Sequence, residues 1–145
     1  MLGGSRWTLL LSLSAALLAD QVVKVLVLSA SRRAGEITLG SSLRIQPIRR
    51  RRTFAGRLGI GPISLVFAWL GCLLAVLLLA PGAGGFDTPL AQAALGIALG
   101  GASGNLMDEL VRKRVVDYVE LGAWPAFNLA DVAIVTGVAL ALLAR

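Results

Sequence analysis

The chain has 145 residues, 57% of them hydrophobic and 15% charged, with a formal charge of +6 and a mean hydropathy of +0.80. That leaves room for one domain, residues 1–145, and is too apolar for an ordinary soluble one. Histidine is absent and Cys72 is the single cysteine, which excludes Ser-His-Asp and Cys-His hydrolytic arrangements, an imidazole-rich metal site and an internal disulfide.

Four apolar runs predict helices over residues 7–29, 60–80, 89–107 and 128–143. Each is near the roughly 17 to 25 residues that about 30 Å of hydrocarbon demands. Backbone polar groups inside lipid must be satisfied within their own segment, so these runs are helices, and short connections make them antiparallel neighbours. The expected fold class is an all-α membrane protein, a four-transmembrane-helix antiparallel bundle. In the first run, Arg6 precedes an apolar stretch ending near Ser29-Ala30-Ser31, in the manner of a cleaved signal peptide. Asp20 and Lys24 would interrupt an apolar region already too long for one, so a membrane helix is the better reading. Those two residues, spaced i, i+4, share a helical face and can pair. They serve either as a clamp between helices or as the orienting support of a neighbouring reactive group.

The first connection, residues 30–59, carries Arg32, Arg33, Arg44, Arg49, Arg50, Arg51, Arg52 and Arg57. Such a short basic loop between membrane helices suits solvation or anionic lipid headgroups better than nucleic acid. Two β-like stretches, residues 36–39 and 42–48 with Gly40 between them, predict a small extramembrane cap. In the second run Cys72 is expected to pack in the core. Residues 81–88, with three glycines and Asp87, predict a tight turn.

The third run ends in Gly100-Gly101-Ala102-Ser103-Gly104, small residues that let another helix approach closely, followed by Asn105 and Asp108 at i, i+3. Asp117 lies in the next connection among Val115, Val116, Tyr118 and Val119, an apolar setting that favours its protonated form. Asn128-Leu129-Ala130-Asp131 has the form of a helix start, with Asn128 as N-cap and Asp131 near the third position, where the positive helix end favours an ionised carboxylate. Four antiparallel crossings would bring all of these polar residues to one face. Two acids pushed in opposite directions are what aspartic proteolysis needs, one to take a proton from water and one to donate to the carbonyl oxygen. Capping alone would also account for Asn128 and Asp131.

Three segments taken together are more specific. Asp20-Gln21-Val22-Val23-Lys24, Gly100 to Asp108, and Val115-Val116-Asp117-Tyr118 followed by Trp124-Pro125-Ala126-Phe127-Asn128-Leu129-Ala130-Asp131 resemble, in order, spacing and helix placement, lipoprotein signal peptidase, also called signal peptidase II. The resemblance covers most of the chain outside the first connection. It implies a bacterial membrane aspartyl endopeptidase that removes signal peptides from diacylglyceryl-modified prolipoproteins, cutting before the lipidated cysteine, with no metal or organic cofactor. A monomer is the expected working unit. It implies Asp117 and Asp131 as the catalytic pair and Asp20, Lys24, Asn105, Asp108 and Asn128 as residues that shape the site and hold substrate.

Three positions depart from that pattern. Arg49 to Gly56 contains no asparagine where the family has an Asn-containing motif ending in Ala-Phe, Glu109 follows Asp108 where the family has arginine, and Lys113 stands where glycine is common. Arg112 or an arginine of the first connection is a candidate to supply the missing positive charge. The first two departures also fit a catalytically silent relative that binds lipidated peptides or an inhibitor. A small ion-coupled transporter built on Asp20 and Lys24 is a third reading, against which the polar set gathers at one end of the bundle. Counting basic residues puts the polar face in the cytoplasm, whereas the resemblance puts it at the outer surface of the bacterial cytoplasmic membrane; the substrate chemistry favours the latter.

Overall fold

The computed structural model describes residues 2–34, 37–39, 43–48, 62–79, 86 and 88–144. Among these lie four helices, α1 (Leu2–Ala34), α2 (Pro62–Leu79), α3 (Pro89–Arg112) and α4 (Leu129–Leu143), and three strands, β1 (Ile37–Leu39), β2 (Leu43–Ile48) and β3 (Asp117–Leu121). The protein is mostly helical, as its apolar runs predict.

Helix α3 is the centre of the packing, with α1 and α4 against it and α2 touching it more lightly. Glycines permit this closeness. A Cβ on Gly100 would collide with the Leu13 carbonyl and Ala16 of α1, and one on Gly104 with the Asp20 carboxylate. On α4, Gly137 lies against Ala94 and Ala98. The order of these contacts fixes direction: α1 and α3 run parallel, and α4 runs against both. Thr88 caps α3, its hydroxyl oxygen accepting from Ala91 N at 3.1 Å with proline at the start of the helix. The same hydroxyl donates to the Ala144 carbonyl at 3.1 Å, fastening the start of α3 to the end of α4.

The interior is polar and the exterior apolar. The largest fully buried side chains are Lys24, Leu9, Asn128, Asp20 and Asp108, whereas Trp7, Leu11, Leu18, Phe67, Val135 and Leu143 are exposed. Water would penalise that distribution, and hydrocarbon would stabilise it. One described helix, over Trp7–Arg33, is long and apolar enough to cross a membrane; Val66–Val76 and Leu129–Leu143 are shorter apolar segments.

Several expectations need correction. The structure extends α1 to Ala34 and α3 to Arg112, because the last turn of α3 is held by an ion pair between Asp108 and Arg112 at i, i+4 instead of by apolar burial. Cys72 is exposed, not in the core, because α2 touches α3 only lightly. The strands of the first connection do form, but they belong to a three-stranded antiparallel sheet ordered β1-β2-β3 whose third strand comes from the other end of the chain. Strand β2 pairs Ile45 with Val119 and Ile48 with Asp117 across a bulge. The arginines at 49–52 and 57, Gly40 and most of the expected turn at 81–88 lie outside the described residues.

Candidate active site

Asp117 opens β3 and Asp131 lies in the first turn of α4, fourteen positions later in the sequence. The chain closes that gap by doubling back. After Leu121 it turns through Gly122, whose φ of 55° suits a residue without Cβ, and Trp124 N donates to the Leu121 carbonyl at 2.9 Å. Phe127 then lies antiparallel beside Val119, its N donating to the Val119 carbonyl at 3.0 Å while its own carbonyl accepts from Val119 N at 2.9 Å. Asn128 is thereby delivered next to Asp117.

Asn128 joins the two acids. Its Nδ2 donates to Asp117 Oδ1 at 3.2 Å, and its backbone N donates to Asp131 Oδ2 at 3.1 Å. Its Oδ1 accepts from Asp131 N at 3.0 Å, completing a capping box. Asn128 Nδ2 also reaches the Val116 carbonyl at 3.3 Å and Asn105 Oδ1 at 3.0 Å. Asn105 Nδ2 in turn donates to Asp131 Oδ1 at 2.9 Å. Both oxygens of Asp131 are therefore oriented by amide donors from two different helix regions. Asp117 is buried, with 5% of its surface exposed, and Asn128 is wholly buried.

A helix start leaves four backbone N–H groups unsatisfied, and in α4 all four are met, Asn128 N by Asp131 and the next three in turn. Leu129 N donates to the Tyr118 hydroxyl oxygen at 3.1 Å. Ala130 N donates to Asp20 Oδ1 at 3.0 Å, across from α1. Asp131 N uses Asn128. Burial pushes the Tyr118 phenol above its usual range, so it stays neutral and its oxygen serves as an acceptor.

Behind this lies an ionic cluster. The Lys24 ammonium, with no exposed surface, has three N–H donors and three acceptors: Asp20 Oδ2 at 2.7 Å, Asp108 Oδ2 at 2.7 Å and Asn105 Oδ1 at 3.2 Å. Asp108 also accepts from Val116 N at 3.1 Å and pairs through Oδ1 with Arg112. Gln21 bridges the cluster, donating to Asp20 Oδ2 at 3.1 Å and the Gly104 carbonyl at 3.2 Å and accepting from Arg112 at 2.9 Å. All seven residues singled out in the sequence, Asp20, Lys24, Asn105, Asp108, Asp117, Asn128 and Asp131, thus lie in one hydrogen-bonded network.

Sequence reading passed over Gln21 and Tyr118 as functional residues. Gln21 stands beside Asp20 with no motif of its own, and Tyr118 reads as one more apolar neighbour of Asp117. The i, i+4 spacing of Asp108 and Arg112 was a usable signal. No group of three or more acids and cysteines suited to a metal ion occurs among the described residues.

A lipid-compatible exterior around a buried polar network of acids, amides and one ammonium defines a membrane protein with its polar centre at one end of a helix group. The fold agrees: it superposes on a bacterial membrane enzyme solved by the in meso method at 2.3 Å resolution with a TM-score of 0.76 and 23% identity, covering 94% of this chain and 86% of that one. A second bacterial membrane enzyme, solved the same way at 1.9 Å, gives a TM-score of 0.73 at 21% identity over 94% of this chain and 91% of that one. The chain belongs to the signal peptidase (SPase) II family, which it matches over residues 12–145. It is similar to the lipoprotein signal peptidase of Moorella thermoacetica, 56% identical over 52 residues, 36% of this chain and 35% of that protein. The lipoprotein signal peptidase of Syntrophomonas wolfei is 48% identical over 56 residues, 39% of this chain and 38% of that one. In these alignments the chain spans a little over a third of the length of the curated relatives it matches.

Proposed function

We propose that this protein is an aspartic endopeptidase that removes signal peptides from diacylglyceryl-modified prolipoproteins, cutting just before the lipidated cysteine, with Asp117 and Asp131 as its catalytic pair. The observation that carries this reading is the double grip of Asn128 on Asp117 and Asp131. Family membership supplies the reaction class and favours it over an ion-coupled transporter or a silent binder.

The two carboxyl groups hold one proton between them. The ionised one takes a proton from a water molecule as its oxygen attacks the scissile carbonyl carbon. The protonated one donates to the carbonyl oxygen, giving a neutral gem-diol. In collapse, one diol hydroxyl returns its proton to the carboxylate while the other carboxyl protonates the leaving nitrogen, and the C–N bond breaks. The pair ends with the single proton it began with, and no cofactor enters. Asn105 and Asn128 aim the carboxylates, Asp20 fixes the start of α4, and Lys24 and Asp108 hold α1 and α3 together behind them.

The same reading makes the four helices spans of the bacterial cytoplasmic membrane, with the sheet as a small cap at the outer surface, the arginine-rich connection against anionic headgroups, and a single chain as the working unit. Reporter fusions within residues 81–88 and at the C terminus test the orientation; both should report the cytoplasm, and non-cytoplasmic signals from both would reverse it. The activity is tested by cleavage of a lipidated prolipoprotein with protein purified in detergent. Wild type should cleave, and Asp117→Asn and Asp131→Asn should cleave far more slowly while remaining folded; undiminished cleavage by either variant rejects the dyad.

A further inference from the structure

One ammonium cannot neutralise two carboxylates. Lys24 faces both Asp20 and Asp108 at 2.7 Å, and all three side chains are buried. The second positive charge comes from Arg112, one helical turn beyond Asp108, whose Nη1 pairs with Asp108 Oδ1 and donates to Gln21 Oε1 at 2.9 Å. A residue at the position of Glu109 lies about 100° round the helix from Asp108, whereas i+4 returns to the same face. With Arg112 in place the cluster of Asp20, Lys24, Asp108 and Arg112 sums to zero charge. Without it, a net negative charge would be left in a desolvated site.

That cluster reaches the acid of β3 through the backbone. Asp108 Oδ2 accepts from Val116 N at 3.1 Å, and on the other side of the same residue Asn128 Nδ2 donates to the Val116 carbonyl at 3.3 Å and to Asp117 Oδ1 at 3.2 Å. Val116 is therefore gripped at both its amide N–H and its carbonyl, immediately before Asp117. Arg112 is the outermost member of this chain of contacts, with 23% of its side chain exposed against 0% for Asp108.

We propose that Arg112 is a positioning residue for the proposed peptidase reaction: it balances the charge of Asp108, keeps that carboxylate on the Val116 amide, and so fixes the place from which Asp117 acts. Its side chain contacts Asp108 and Gln21 and acts on Asp117 only through them. This inference rests on the aspartic peptidase reading for its catalytic consequence and on the geometry alone for its structural one. The positive charge lost at Glu109 relative to the family pattern is thus restored one turn later from a different residue.

The test uses Arg112→Gln, Arg112→Lys and the double variant Asp108→Asn/Arg112→Gln in detergent, with two readouts. In cleavage of a lipidated prolipoprotein, Arg112→Gln should lower kcat on the order of tenfold with KM within about twofold of wild type. Arg112→Lys should recover most of that loss. The double variant, neutral again because Asp108 and Arg112 lose their charges together, should be more active than Arg112→Gln alone, a reversal that loss of packing does not produce. Independently of activity, hydrogen exchange at the Val116 amide should accelerate in Arg112→Gln and slow again in Arg112→Lys. Unchanged kcat and unchanged Val116 exchange in Arg112→Gln overturn the inference while leaving the peptidase reading intact. A wild type that cleaves nothing overturns the peptidase reading, and the exchange measurement still decides whether Arg112 holds Val116. Should Arg112→Gln fail to fold, the double variant carries both readouts, and a double variant that also fails to fold overturns the charge-balance argument.

Discussion

Two sets of acids sit within one network and are held differently. Asp20 and Asp108 face cations: both accept from Lys24, and Asp108 also pairs with Arg112. Asp131 instead accepts from amides, Asn105 Nδ2 and Asn128 N, and the same Asn128 side chain reaches Asp117. A carboxylate locked to an ammonium is fixed in place and works as scaffold. Amide donors aim a carboxylate, and aim is what a group that must gain and lose a proton requires. The fold separates the two kinds by element: the scaffold acids lie on the parallel pair α1 and α3, the amide-held acids on β3 and α4.

The largest expected effects break the amide-held set. Asp117→Asn and Asp131→Asn should each lower kcat by about 10²- to 10⁴-fold, with thermal stability in detergent close to wild type. The double variant should be little worse than either single one, because the two act as a unit. Losses that multiply would place the two residues in separate roles.

Breaking the scaffold set should look different. Lys24→Met leaves Asp20 and Asp108 facing each other without their shared ammonium, and removal of one partner of a buried pair costs about 3–5 kcal/mol. Unfolding in detergent should register that loss directly. Adding Asp20→Asn to Lys24→Met should return part of it, since one uncompensated charge goes as well. Gly104→Ala is the milder version: a Cβ there meets the Asp20 carboxylate, and overpacking of this kind costs about 1–3 kcal/mol. Because Asp20 also accepts from Ala130 N, cleavage should fall with it. An alanine that left both stability and cleavage unchanged would mean that Asp20 has room to move away from α3.

Much of this arrangement was legible in the chain before any coordinates. Apolar runs located the helices because lipid demands length and leaves little freedom in composition. Asn128 and Asp131 declared a helix start through their spacing, and the capping box formed as read. What resisted reading was whatever depends on contacts remote in sequence. Strand β3 is short, and its partner β2 lies some seventy residues earlier, so nothing local marks it as the third strand of the sheet. The last turn of α3 is too polar to read as membrane helix, yet Asp108 and Arg112 extend it because their charges are met by Lys24 and Gln21 of α1. Cys72 misled for a related reason: an apolar helix has no visible inside until its neighbours are known.

The smallest effect concerns the end of α3, where the scaffold stops and the strand leading to Asp117 begins. Lys113 caps the helix in the left-handed region at φ 59° and ψ 22°, the one non-glycine residue with positive φ among those described. For a side chain with Cβ that conformation costs about 1–2 kcal/mol, and it explains why glycine is the common occupant of such a position. Glycine removes that cost but gives up about 0.5–1 kcal/mol of extra chain entropy on folding. The difference predicts that Lys113→Gly stabilises by about 0.5–1 kcal/mol. The Lys113 side chain is exposed and lies outside the network of acids and amides, so cleavage should be unaffected. A Lys113→Gly variant that melted below wild type would mean that lysine contributes something there beyond its backbone, and the boundary between scaffold and strand would have to include it.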